Sequence, residues 1–169
     1  MTPFFWRKSE IVDGIEIKGG DDFILRTKEA LDLLRSTPFF KEIQRYLAVI
    51  KEAKRSGMKA YARKPTFLVG KPTWQHSALW YAGTIAHDAY HSKLYHEARA
   101  KNTGKKWDRD AWTGTEAEKK CLAFQRQVLY ELKAGETIIA YLKELENNPT
   151  YQGHNKGWRA WWDYITRWW

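Results

Sequence analysis

The sequence predicts an α+β fold: one domain over residues 1–169, mainly helical, with a small β-sheet and one long helix that carries a metal-binding pattern. Three observations lead there. Near the N-terminus, two short alternating segments flank Asp13-Gly14, which reads as a β-hairpin because that dipeptide readily takes the left-handed turn that strand twist favours. Further along, apolar residues recur at intervals of three and four over several stretches, the period of a half-buried helix. The run Thr66-Phe67-Leu68-Val69 has the residue types of a strand. At 169 residues the chain can bury a sizeable core but is short for two full domains.

In order, the hairpin occupies residues 10–18, and Gly19, Gly20 and Asp21 lead into a helix near residues 22–35 with Leu25, Leu31 and Leu34 among its apolar positions. Thr37-Pro38 reads as an N-cap followed by a first-turn proline. It opens a second helix through Phe40, Ile43, Leu47 and Ile50 that ends near Gly57. Residues 60–69 contain Pro65 and alternate at Phe67 and Val69, as an edge strand or a pair of short strands does. The long helix follows, and then a loop over residues 101–114 marked by Asn102-Thr103-Gly104 and Thr113-Gly114. A helix from Thr115 to about Ala134 is expected to stop at Gly135 as its C′ residue. Another follows over residues 136–146, up to Asn147-Asn148-Pro149. The last carries Trp158, Trp161, Trp162, Ile165, Trp168 and Trp169 as a packing stripe.

Ten Trp, nine Tyr and seven Phe supply much of the apolar area. No apolar run is long enough to span a bilayer, and the first eight residues lack a charged region followed by an apolar core, so neither membrane association nor a signal peptide is expected. The lone cysteine, Cys121, excludes an intramolecular disulfide and suits the cytoplasm; its apolar neighbours mark it as a buried structural thiol. Lys and Arg number 29 against 20 Asp and Glu, a net +9 that would attract nucleic acid or another acidic partner. The basic residues are scattered, however, and no helix-turn-helix or RNA-recognition signature accompanies them, so nucleic-acid binding is the lesser reading.

The chemistry concentrates in Ile85-Ala86-His87-Asp88-Ala89-Tyr90-His91. Four residues advance a helix by about 400° and roughly 6 Å, so His87 and His91 leave one face a turn apart and can chelate one ion. Asp88, directly after the first histidine, makes this a near-copy of His-Glu-x-x-His, in which the acid takes a proton from the attacking water. Ala82, Ile85, Ala86 and Ala89 bury the helix, and Gly83 allows close approach of a neighbour. His76 lies too far upstream to share the ion, and His96 points away. Leu94 and Glu97 stand where a metzincin extension needs glycine and a ligand.

A third ligand is therefore sought on the helix after the loop. Glu118 is one candidate, but Thr115-x-x-Glu118 is equally a capping box, and Glu116 has the same ambiguity with Thr113. His87-Asp88-x-x-His91, followed by Glu116-x-Glu118 and Leu122-Ala123-Phe124, resembles the small gluzincin-type zinc metallopeptidases over roughly residues 66–132. The resemblance implies Zn2+ held by His87, His91 and Glu118, Asp88 as general base, a peptide or protein substrate, and a substrate-side edge strand at Thr66-Phe67-Leu68-Val69. Asp88 departs from the family's glutamate by one methylene, about 1.5 Å of reach. The alternatives are a zinc-binding interaction protein without catalysis and a basic nucleic-acid-binding domain without metal.

Overall fold

A computed structural model describes residues 8–102 and 109–147. Strands β1 (Lys8–Val12) and β2 (Ile15–Gly19) form the expected antiparallel hairpin, with Asp13 at φ 51° and Gly14 at φ 79° supplying the two left-handed turn residues. Alternation along β2 buries Ile15 and Ile17 and leaves Glu16 and Lys18 outside the core. Helix α1 (Asp21–Arg35) begins with two aspartates against the positive end of its dipole and buries Phe23, Ile24, Thr27, Ala30, Leu31 and Leu34.

The next segment departs from the sequence reading. Helix α2 covers only Phe40–Tyr46, Leu47 is extended, and Val49–Ala53 forms strand β3. Thr37 caps nothing ahead of it; its hydroxyl donates to the Leu34 carbonyl and closes α1 instead. Leu47 and Ile50 fit a helical period, but β-branched Val49 and Ile50 gain more from pairing on both sides in the sheet.

Strands β4 (Gly57–Lys59) and β5 (Thr66–Gly70) complete a mixed sheet of order β1-β2-β3-β5-β4, parallel at β2–β3 and β3–β5 and antiparallel at both ends. β5 is thus not the expected edge strand. It lies between β3 and β4, and the edge falls to three-residue β4. The register aligns Ile17, Ile50 and Phe67 across the sheet, and all three are fully buried.

After short α3 (Lys71–Trp74), helix α4 (Ala78–Lys101) starts at Ser77, whose hydroxyl accepts the Trp80 N–H at 3.1 Å. One-turn α5 (Asp110–Thr113), α6 (Thr115–Glu131) and α7 (Glu136–Asn147) follow. Gly135 is not the C′ residue of α6. Lys133 takes the left-handed position (φ 56°), Ala134 N–H reaches the Leu129 carbonyl and Lys133 N–H the Tyr130 carbonyl, while Gly135 offers its carbonyl to the start of α7.

Helices α1 and α4 pack on the apolar side of the sheet, α6 runs along α4, and α7 covers α6. One continuous core links β2, β3 and β5 to α1, α2, α4 and α6. Among the described residues no helix is long and apolar enough to cross a membrane. The N-terminal residues 1–7, the loop residues 103–108 and the tryptophan-rich segment read as a last helix lie outside the described residues.

Candidate metal centre

The site forms where α4 and α6 run antiparallel. A Cβ on Gly83 would stand 2.9 Å from Leu129 side-chain carbons, so the missing side chain lets the helices close there. One turn further along α4, His87 meets Gln125 and Glu118, and another turn on, His91 meets Glu118. On α6, Glu118, Cys121 and Gln125 are spaced three and four apart and therefore share one face, the face turned to the histidines.

The Glu118 carboxylate touches both rings: Oε1 lies 3.1 Å from His87 Nε2, and Oε2 lies 2.9 Å from His91 Nε2. The two Nε2 atoms are 3.1 Å from each other. On the far edges of the rings, His91 Nδ1 is 2.9 Å from the Trp112 carbonyl, and His87 Nδ1 is 3.1 Å from Gln125 Oε1. A carbonyl only accepts, so a neutral His91 carries its proton on Nδ1, and the Gln125 oxygen assigns His87 the same tautomer. Both Nε2 atoms then present lone pairs to one another and to a carboxylate. Three electron-rich groups at such spacing repel one another unless a cation lies among them.

In the protein alone that cation is a proton. Burial opposes a charged His87, but the Glu118 carboxylate outweighs it and pushes His87 up to about 9. His91 is raised in the same way, against burial, by its hydrogen bond to Glu118 and by that group's charge. Burial would raise Glu118, yet the charge of His87 and the hydrogen bonds from both rings hold it well below the usual carboxylate range. A metal fits the same place. Bonds of about 2.0–2.1 Å set tetrahedral donors roughly 3.3 Å apart, and the 2.9–3.1 Å spacings here need only slight opening of the rings. The Nδ1 acceptors are the outer partners that metal-binding histidines use to fix tautomer and ring orientation.

The ambiguity over the acids has a geometric answer. Gly114, not Thr115, is the N-cap of α6, no side chain caps this helix, and Glu118 is 5% exposed with both oxygens turned to the histidines. Glu116 lies on the surface, paired with Lys119 at 2.9 Å. Asp88 is buried beside the site. Burial pushes its carboxyl up to about 6, against the lowering charges of His87 and His91. The other histidines among the described residues lie apart from it: His76 accepts the Ser77 N–H, and His96 packs between Tyr46 and Tyr95.

Cys121 is as buried as its sequence neighbours imply, but its setting is not purely apolar. Its sulfur lies with a ring nitrogen of each histidine in a group whose members are all within 4.8 Å of one another. Sequence reasoning missed Cys121 and Gln125 as members of this site, although the three-four spacing after Glu118 was the signal that would have joined them. Comparison with protein-family models, curated protein sequences and solved structures finds no match.

Proposed function

We propose that this chain is a zinc-dependent hydrolase, with His87, His91 and Glu118 as the metal ligands and Asp88 as the proton acceptor. The observation that carries the reading is the convergence of two Nε2 atoms and a buried carboxylate within 2.9–3.1 Å, each imidazole held from behind by an acceptor. Two imidazoles and one carboxylate are the donor set of hydrolytic zinc sites, where the ion polarises a carbonyl and acidifies water. The residues themselves do the rest. Gln125 and the Trp112 carbonyl orient the rings, Glu118 offsets the ion's charge, and buried Asp88, directly after His87 in the sequence, is the proton acceptor of this reading. A peptide bond as substrate rests on the resemblance of His87-Asp88-x-x-His91 and Glu118 to the gluzincin pattern.

A second reading is a zinc-binding interaction protein without turnover. It is favoured by the Cys121 sulfur, a further donor beside the histidines. Elemental analysis of protein purified without chelator is the first test: about one zinc per chain is expected, as for a single site of this kind. The double variant His87→Ala, His91→Ala should bind none, and undiminished zinc in it would overturn the site. Turnover of a broad peptide library by the zinc-loaded chain separates the two readings.

A further inference from the structure

We infer that Cys121 is a further ligand of the metal centre, its thiolate binding the same ion as His87 and His91. The inference rests on the proposed metal site and adds a sulfur donor to it. Two observations support it. Cys121 follows Glu118 by three residues and precedes Gln125 by four, and both of those side chains contact the histidines, so the thiol occupies the intervening turn of the same α6 face. Its sulfur and the two ring nitrogens all lie within 4.8 Å of one another. Around a tetrahedral ion with Zn–S near 2.3 Å, sulfur and nitrogen donors stand about 3.6 Å apart. The sulfur is thus at most about 1.2 Å beyond that spacing.

Leu94 and Ala117, with Tyr90 and Trp112 against them, pack around the thiol. Without metal, this setting keeps it neutral. On binding, the sulfur–metal bond forms as the S–H proton leaves to solvent, the usual fate of a coordinating thiol. The resulting set of two imidazoles, a carboxylate and a thiolate favours thiophilic ions such as zinc and cobalt over magnesium or calcium. It also fills the position that hydrolysis needs open, so turnover requires the thiolate to leave or the ion to take a fifth donor.

The test is the absorption spectrum of the full chain loaded with Co2+. Because Cys121 is the one cysteine in the sequence, a thiolate-to-cobalt charge-transfer band in the near ultraviolet can arise from no other residue. The expected wild-type spectrum has that band together with intense visible bands of a tetrahedral ion. Cys121→Ser, or Cys121→Ala if the serine variant fails to fold by circular dichroism, should lose the near-ultraviolet band at saturating cobalt. Its affinity should fall by more than the roughly 10–100-fold typical of losing an outer partner. Visible bands without the charge-transfer band in the wild type would overturn the assignment of Cys121 and leave the histidine–glutamate site standing. A wild type that takes up no cobalt would overturn both.

Discussion

Gln125 Oε1 stands 3.1 Å from His87 Nδ1, on the opposite edge of the ring from the atom that faces Glu118 and His91. The glutamine is 4% exposed, so this oxygen has no solvent to replace it if removed. Gln125→Leu keeps the volume and deletes the acceptor. We expect zinc affinity to fall about 10–100-fold with the fold intact, measured by competition with a chromophoric chelator. Gln125→Glu, which keeps an acceptor, should restore most of it. Unchanged affinity in Gln125→Leu would remove Gln125 from the site.

Glu118 and Glu116 are two residues apart and chemically alike, yet one bridges both histidines while the other is 77% exposed at its side chain. Glu118→Gln should lose most zinc binding. Glu116→Gln should change neither affinity nor stability beyond about 0.5 kcal/mol, as usual for surface positions. Isothermal titration with zinc and a urea melt of each variant check this. Equal losses in both would mean that the acids act through the net charge of the helix start, not through contact.

Asp88 is where the hydrolytic part of the proposal is most exposed to test. Asp88→Asn should retain zinc and lose turnover of an unstructured protein by roughly 10²–10⁴-fold. Asp88→Glu adds one methylene of reach, and we expect it to raise the rate if the shorter acid limits proton transfer. A zinc-loaded wild type inert toward a broad peptide library, with no gain in Asp88→Glu, would favour the interaction-protein reading.

At Gly83 a methyl group would meet three Leu129 carbons at 2.9–3.0 Å. Gly83→Ala should therefore destabilise the fold by about 1–3 kcal/mol through overpacking, although alanine is intrinsically the better helix former by about 1 kcal/mol. Leu129→Ala should relieve part of that strain, so the double variant should cost less than the sum of the singles in urea melts. Strict additivity would show that α4 and α6 do not set their separation here.

How far the sequence spoke depended on the range of the forces involved. Asp13-Gly14 announced its hairpin because the turn's dihedral demand is local, and the helical periods of α1, α4 and α6 are local as well. Leu47 and Ile50 misled because their spacing suits a helix, whereas β3 exists through pairing with β2 and β5, some thirty and seventeen residues away by its register of Val49 with Glu16 and Thr66. The chelate spacing of His87 and His91 was legible. Glu118 stayed ambiguous, since a capping box and a site acid have the same local pattern and only the approach of two helices separates them. Cys121 reads as packing in the sequence because burial looks the same there whether its neighbours are leucines or imidazoles.

The bond from His91 Nδ1 to the Trp112 carbonyl uses a main-chain atom, and so no substitution at position 112 can delete the acceptor. What a mutational scan can reach is the turn that aims it. Gly114 closes α5, its N–H bonded to the Asp110 carbonyl, and any Cβ there would fall 2.7 Å from that same oxygen. Intolerance should accordingly appear two positions downstream of the contact, at a glycine that meets Glu118 only through its main-chain carbonyl. For this one contact, a map of sensitive positions would point beside the residue that makes it rather than at it.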